Sequence, residues 1–196
     1  MRIIAGLYRG RKLKEFNGRE VRPTSDRARE ALFNILGNIS GDSFLDLYCG
    51  TGAVGLEAAS RGAENVTLVD FAKESVTLSR ENAKTLDANV RIVNSDALSF
   101  VARLKEKYDY IFLDPPYAAN AEDVLAAIAE NEYLKNAYII YEHSGESRGD
   151  LCGLKIVDTR RYGVATFTRL KNEKMRIRGD LRSRNQRTRR RYLKVQ

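Results

Sequence analysis

The sequence predicts an α/β protein whose open, mostly parallel sheet is covered by helices on both faces. Three observations carry that expectation. Between residues 43 and 141, short apolar runs alternate with helical patterns at the spacing of βα units. The first run ends in a glycine-rich turn that opens a helix. Asp46, Asp70, Asp96 and Asp114 fall at or just beyond the ends of successive runs, which is where such a sheet places its ligand.

The elements read in order as follows. Residues 1–21 hold strand-like stretches broken by Gly6, Gly10 and Gly18, and predict a small N-terminal β-hairpin arm. Ser25 is a fitting N-cap for a helix whose apolar face is Ala28, Ala31, Leu32, Ile35 and Leu36, and Gly37 stops it. Ser43–Leu47 is the first strand and Ala53–Ser60 the helix after it. Asn65–Val69 is β-branched and closed by Asp70, and Lys73–Leu86 is a polar-faced helix. Asn89–Val93, Tyr108–Leu113 and Tyr138–Tyr141 read as strands, with Ala97–Lys105 and Ala121–Ala129 as helices. Leu154–Val157 and Val164–Leu170 predict a closing antiparallel pair joined through Thr159–Gly163. The organisation expected is an arm (1–21), a Rossmann-like domain (22–170) and a basic tail (171–196).

Charge is uneven. The chain has 196 residues and a net charge of +8. Residues 1–29 carry +6, residues 30–170 carry −7, and residues 171–196 carry +9. An acidic body with two basic ends fits a polyanionic partner such as nucleic acid. The tail is low in complexity and lacks core-forming periodicity, so solvated charge explains it equally well. Two cysteines, Cys49 and Cys152, exclude a disulfide framework and a four-ligand zinc site. No apolar run reaches a membrane span and no secretory leader is visible, so the reducing cytoplasm is the expected compartment. No metal is expected.

Gly50, Gly52 and Gly55 form a G-x-G-x-x-G pattern between a strand and a helix, with Asp70 20 residues after Gly50. This fingerprint lets a nucleotide-like ligand approach the backbone while an acid takes its ribose hydroxyls. Asp46 chooses among ligands, because a carboxylate beside a pyrophosphate repels it. S-adenosylmethionine has no phosphate and carries a cationic amine and a sulfonium, so an acid suits it. Asp96 is then placed to accept from the adenine amine. Each acid taken singly also fits a helix cap. Cys49 reads as a small loop residue and His143, the only histidine, as structural.

Asp114-Pro115-Pro116-Tyr117 follows the fourth strand. Two prolines give a rigid turn with free carbonyls. The Asp114 carboxylate and a backbone carbonyl, best that of Pro115, suit the two hydrogens of a planar exocyclic amine and raise electron density on its nitrogen. Tyr117 offers a ring for a base displaced from its stack. Methyl transfer by in-line displacement then needs positioning and electrostatics, with no covalent enzyme intermediate.

Asp46–Gly52 with Asp114–Tyr117 resembles class I, Rossmann-type, S-adenosylmethionine-dependent methyltransferases acting on amino groups. Arg22–Leu36, Arg2–Leu13 and Arg161–Gly163 resemble the bacterial 16S rRNA guanine-N2 methyltransferase family (RsmD type), a likeness running from residue 1 to about 170. It implies a seven-stranded sheet with the last strand antiparallel. It implies methylation of a guanine N2 amine, at the position conventionally numbered 966, on the small ribosomal subunit. Arg22, Pro23 and Thr24 would lie by the methionine end of the cofactor. Asp46, Tyr48, Gly50, Thr51, Gly52, Asp70, Phe71, Asp96 and Ala97 complete the expected cofactor set. Arg9, Arg11, Lys12 and Lys14 would contact RNA phosphates, and a monomer is expected. Lys171–Gln196 exceeds the usual family length. The motif chemistry alone also admits adenine N6 in DNA, a glutamine amide, or an RNA-binding module without catalysis.

Overall fold

The computed structural model describes residues 1–16, 25–116, 119–145 and 151–172. Seven strands form one sheet: β1 (Ser43–Leu47), β2 (Asn65–Asp70), β3 (Arg91–Asn94), β4 (Tyr110–Leu113), β5 (Tyr138–His143), β6 (Leu154–Tyr162) and β7 (Ala165–Asn172). Their order is β3-β2-β1-β4-β5-β7-β6. β1 to β5 run parallel, and β7 is antiparallel to both β5 and β6. The chain moves outward from β1 to β3 and then returns to start again at β4 on the other side of β1. The switch point therefore lies between β1 and β4, where an open sheet leaves a crevice at its carboxyl edge.

Five helices cover the sheet: α1 (Asp26–Leu36), α2 (Ala53–Ser60), α3 (Lys73–Leu86), α4 (Ala97–Arg103) and α5 (Ala121–Glu130). Strand alternation divides the core. Leu45, Leu47, Ile111, Leu113 and Ile139 pack with Val101 of α4 and with Val124, Leu125 and Ile128 of α5. Phe44, Phe112 and Ile140 point the other way and pack with Leu32 and Phe33 of α1 and Val54 of α2. Ser25 caps α1, accepting from the Ala28 N–H, and Gly37 ends it with φ 76°. Among the described residues no helix is long and apolar enough to cross a membrane.

One expectation changes. The connection expected at Thr159–Gly163 is largely strand: β6 continues to Tyr162 and only Gly163 and Val164 form the turn. β6 is an edge strand exposed on one side, so the polar run Thr159-Arg160-Arg161 extends it without an apolar alternation. The N-terminal arm pairs Arg2 with Lys12 in an antiparallel bridge, and its two limbs are joined by backbone hydrogen bonds from Ile3 to Arg11, Gly10 to Ile3 and Leu13 to Met1 (2.9–3.1 Å). The domain holds this small hairpin as well. Residues 17–21 of the expected arm and all of the tail beyond Asn172 lie outside the described residues.

The arm's anchor is the buried carboxylate of Glu57 on α2. It accepts from the backbone N–H groups of Ile4 (2.7 Å) and Ala5 (2.9 Å) and from Arg61 Nε (2.9 Å). Arg29 of α1, also buried, approaches Glu57 at 4.0 Å and donates to the Arg2 carbonyl and to Asp26. Arg61 lies 4.6 Å from the Phe33 ring, tying α1 to α2 again. Next along the arm, Leu7 N–H donates to the Ser60 carbonyl at 2.7 Å. A Cβ on Gly6 would fall 1.8 Å from that oxygen, so only glycine allows the approach. Ile3 and Leu13 then pack with Leu56, Ala83 and Leu86.

Removing one side of a buried charge network leaves the other side uncompensated, at about 3–5 kcal/mol. Glu57→Ala is therefore expected to lower the urea midpoint severely and to release residues 1–16 first. Hydrogen exchange checks this: arm amides should lose protection in the variant while amides of β1 and β4 keep theirs.

Candidate functional site at the carboxyl edge of the sheet

β1 and β4 are in register through Leu47 and Leu113. The glycine loop after β1 and the Asp114-Pro-Pro turn after β4 thus leave the sheet side by side. In the loop, Cys49 N–H donates to the Val69 carbonyl at 3.0 Å, continuing the sheet for one residue. Tyr48 takes φ 65°, a left-handed conformation that is costly for a bulky side chain and concentrates at functional sites. Gly52 has φ 79°, and a Cβ there would meet Leu68 Cδ2 at 2.9 Å. A Cβ on Gly55 would meet Leu68 Cγ at 2.9 Å and Asp46 Oδ2 at 3.2 Å. Those two glycines serve packing of α2 onto β2. Gly50 differs: a Cβ there would meet nothing within 4 Å, so its face is open to a ligand.

The acids hold this loop from below. Asp46, 1 % exposed, lies within β1 and accepts from the Gly55 N–H at 2.8 Å. Asp70 accepts from Gly50 N–H (2.9 Å) through one oxygen and from Ala72 N–H (2.9 Å) through the other. Asp96 caps α4, accepting from the Ser99 N–H at 2.9 Å. All three carboxylates are thus structural as well as placed at one edge, and Asp46 is more deeply enclosed than its position in the motif suggests. Each carboxylate oxygen keeps a second lone pair for a ligand.

Burial pushes the Asp46 carboxyl up to about 8, the Gly55 N–H opposes this, and Asp114 and Asp70 add to the rise. Burial also pushes up the Cys49 thiol, reinforced by Asp46 and Asp70, so this thiol stays protonated and unreactive, as its reading as a loop residue requires. Tyr48 is raised by burial and by Asp96 and Asp70. Negative potential is concentrated here, and a cation entering the crevice is what would relieve it.

Beside the loop is a cavity of about 590 Å³ lined by Phe71, Lys73, Asn94, Ser95, Asp96 and Ser99. Phe71 is 75 % exposed, a ring face held out over that space. Asn94 fixes it, donating to the carbonyls of Asp70 (3.0 Å) and Phe71 (2.8 Å). Ala97 is buried behind the cavity. Thr51 is buried too, its carbonyl accepting from Asn82 Nδ2 at 2.9 Å. The same Asn82 amide donates to the Lys14 carbonyl and accepts from the Lys14 N–H, so α3 ties the arm to the glycine loop. Asn82, Asn94 and Glu57 were missed from the sequence. Glu57 had a signal, as the sole charge in the helix AVGLEAAS. The two asparagines had none.

In the Asp114-Pro-Pro turn, Asp114 and Pro115 are half-buried and Pro116 is exposed. The Pro116 carbonyl accepts from Ala119 N–H at 2.8 Å. Tyr117, Arg22, Pro23 and Thr24 lie outside the described residues.

The four arm cations separate. Arg11 donates to the carbonyls of Leu86 (2.9 Å) and Thr85, the last of α3, and Lys14 pairs with Glu81 at 2.8 Å. Only Arg9 and Lys12 have no partner among the described residues. The arm's turn also packs on Ser60 and Asp87, at the carboxyl ends of α2 and α3. Those helix ends lie at the sheet's amino edge, about 12 Å along α2 from the glycine loop. His143 closes β5, bonded to Thr168 Oγ1 at 2.9 Å and stacked on Tyr141, and burial lowers it, so it stays neutral, matching its structural reading.

Comparison with known proteins adds to this geometry. A family model described as conserved hypothetical protein 95 matches residues 1–171. The ribosomal RNA small subunit methyltransferase D of Haemophilus influenzae is 38% identical over 148 residues, covering 72% of this chain and 77% of that protein. The protein of the same name from Escherichia coli (strain K12) is 39% identical over 152 residues, covering 76% and 77%. The solved structure of Escherichia coli yhhF superposes with a TM-score of 0.78 at 35% identity, covering 88% of this chain and 98% of that one.

The raised Asp46 carboxyl has a consequence for stability. The unfolded carboxyl ionises near 3.8, whereas the folded one keeps its proton to about 8. Between those values the folded state binds the extra proton, so stability falls as pH rises through this window, at up to about 1.4 kcal/mol per pH unit. Asp46→Asn keeps an acceptor for Gly55 and removes the titration. Without ligand, its melting temperature is expected to gain on the wild type progressively from pH 4 to pH 8, which a pH series of thermal melts measures.

Proposed function

The chain belongs to the ribosomal RNA small subunit methyltransferase D family, and from that premise we propose that it methylates the exocyclic N2 amine of a guanine in 16S rRNA, of the position-966 type. It is a class I, S-adenosylmethionine-dependent methyltransferase; the RNA substrate, the guanine and the individual site residues are the proposal. The observation that carries it is the adjacency of two motifs at one switch point. The glycine loop and Asp114-Pro115-Pro116 leave neighbouring parallel strands at the same level of the sheet.

The residues present fit the cofactor. Gly50 leaves its face open. Phe71 overhangs a cavity with Asp96 on its wall, suiting an adenine ring and its amine. Asp70 reaches the loop where ribose hydroxyls would need an acceptor. The enclosed Asp46, with Asp70 and Asp114 near it, makes a site that favours a cation. When bound, S-adenosylmethionine supplies an electrophilic methyl group on a positively charged sulfur.

The chain's own part is orientation and charge. Asp114 and the Pro115 carbonyl accept the two hydrogens of the target amine. They hold its nitrogen in the plane that faces the donor and draw out its lone pair. Fixing both partners in this way converts a bimolecular encounter into a positioned one. As the nitrogen gains positive charge, the Asp114 carboxylate stabilises it and is placed to take a proton from it. Tyr117 is assigned the face of the displaced base.

The deciding experiment treats small ribosomal subunits from cells lacking the enzyme with labelled cofactor and maps the modified base. Label on a guanine N2 in 16S rRNA is expected; label confined to DNA, to protein or to no RNA base overturns the proposal. Asp114→Ala is expected to lower turnover by about 10²–10³-fold or more, the range for removing one electrostatic contact in an active site. Calorimetry should show the cofactor still binding, since Asp70, Asp96 and Phe71 remain. Loss of cofactor binding along with turnover would move Asp114 into the cofactor site.

A further inference from the structure

We propose that the tip of the β6–β7 hairpin, with Arg160 and Arg161, is a phosphate-binding prong that grips the RNA strand beside the target nucleotide. The proposal rests on the RNA substrate argued above and extends it to a surface outside the site. Register places the tip. Leu113 pairs with Tyr141, Tyr141 with Thr168, and Thr168 with Thr159. One step further toward the carboxyl edge lie Glu142, Phe167 and Arg160; two steps further lie His143, Thr166 and Arg161. Arg160 and Arg161 thus stand at the level of the Asp114-Pro115 turn, three strands away. At about 4.8 Å per strand that is roughly 14 Å. It matches about four nucleotides at the 3.4 Å rise of a stacked strand.

The chemistry of the tip suits a polyanion. Both arginines are exposed. Arg160 has no hydrogen bond or ion pair among the described residues, and Arg161 makes one bond, to the Gly163 carbonyl of its own turn at 3.2 Å. Adjacent positions on a strand face opposite ways, so the two guanidinium groups flank the edge strand on both sides. The next cation toward the amino edge differs: Arg169 is taken by Asp158 at 2.5 Å. The turn also exposes Val164, and the Tyr162 ring packs on Phe167, giving a stiff apolar base beneath the charges. Two-residue turns between paired strands are rigid, so the charges are held in place without a partner.

The N-terminal arm makes the contrast. Its turn sits at the amino edge, with Arg11 engaged on the end of α3. The two turns therefore lie at opposite edges of the sheet, and of the two the β6–β7 tip shares the edge of the Asp114-Pro115 turn.

The test uses the full chain and isolated small ribosomal subunits lacking the methyl group. In the double variant Arg160→Gln/Arg161→Gln, KM for subunits should rise about tenfold while cofactor affinity stays at the wild-type value. The slope of log affinity against log salt should flatten by about 1.4, from two lost phosphate contacts at roughly 0.7 each. The double lysine variant keeps the charge and should restore the slope, which a merely structural role would not predict. Arg9→Gln/Lys12→Gln should change KM less. A wild type that methylates subunits, with a double glutamine variant of equal KM and salt slope, overturns the prong while leaving the substrate reading intact. A wild type that methylates no small-subunit RNA overturns both.

Discussion

The glycine loop after β1 has to hold several backbone groups in unusual conformations and still present an open face, and the Asp46 carboxylate inside β1 is what fixes it. Asp46 receives the Gly55 N–H from below, and Asp70 on the neighbouring strand receives the Gly50 N–H. Two carboxylates from adjacent parallel strands therefore pin the two ends of one turn. The start of α2 follows from that pinning, and so does the close fit of Gly52 and Gly55 against Leu68. The cost appears as electrostatic tension, with Asp46 driven toward its neutral form by its surroundings. A cation entering beside these acids would relieve that tension, so the same burial that shapes the loop favours a positively charged occupant.

The same logic reaches outward through α2. Its first turn carries the glycines, its middle carries Glu57, and its end carries Ser60, and the last two hold the N-terminal arm by backbone hydrogen bonds. Asn82 closes the circuit by bonding both Lys14 and the carbonyl of Thr51 in the glycine loop. The arm is thereby tied to the glycine loop. Its basic character has two origins: Arg11 neutralises the negative end of α3, a helix-dipole contact, and Lys14 answers Glu81.

Much of this was legible in the sequence, for reasons that differ by residue. The parallel core announced itself because β1, β2 and β4 are largely buried and read as apolar runs with an acid at or beside the carboxyl end, as SFLDL and NVTLVD do. The α1 boundaries were legible because Ser25 and Gly37 act locally, by capping. β6 was cut short because half of it faces water, and Thr159-Arg160-Arg161 carries no hydrophobic period. The hairpin of the arm was legible because its glycines mark turns, whereas its docking on Glu57, more than fifty residues away, was not. Contacts of that separation leave no local pattern. Asp46, Asp70, Asp96 and Asp114 were found by position at strand ends, and the cap made by Asp96 is one the sequence allowed, but position could not say that Asp46 and Asp70 hold the Gly55 and Gly50 N–H groups.

The net charge of +8 takes on a different meaning once the cations are located. A surface charge attracts RNA only if it is not already satisfied by the protein. By that criterion Arg11, Lys14, Arg29, Arg61 and Arg169 are spent on helix ends, carboxylates and the Phe33 ring. Arg9, Lys12, Arg160 and Arg161 remain among the described residues considered for binding, on the arm and on the β6–β7 turn. A strand of RNA whose base enters the crevice between β1 and β4 must cross the carboxyl edge, because the motifs there are the only ones that meet at a strand switch. It passes the β6–β7 turn in doing so if it runs toward β5, and the cavity of Phe71 if it runs toward β3. The second direction is lined by one acid, Asp96, and by Lys73 and Arg103.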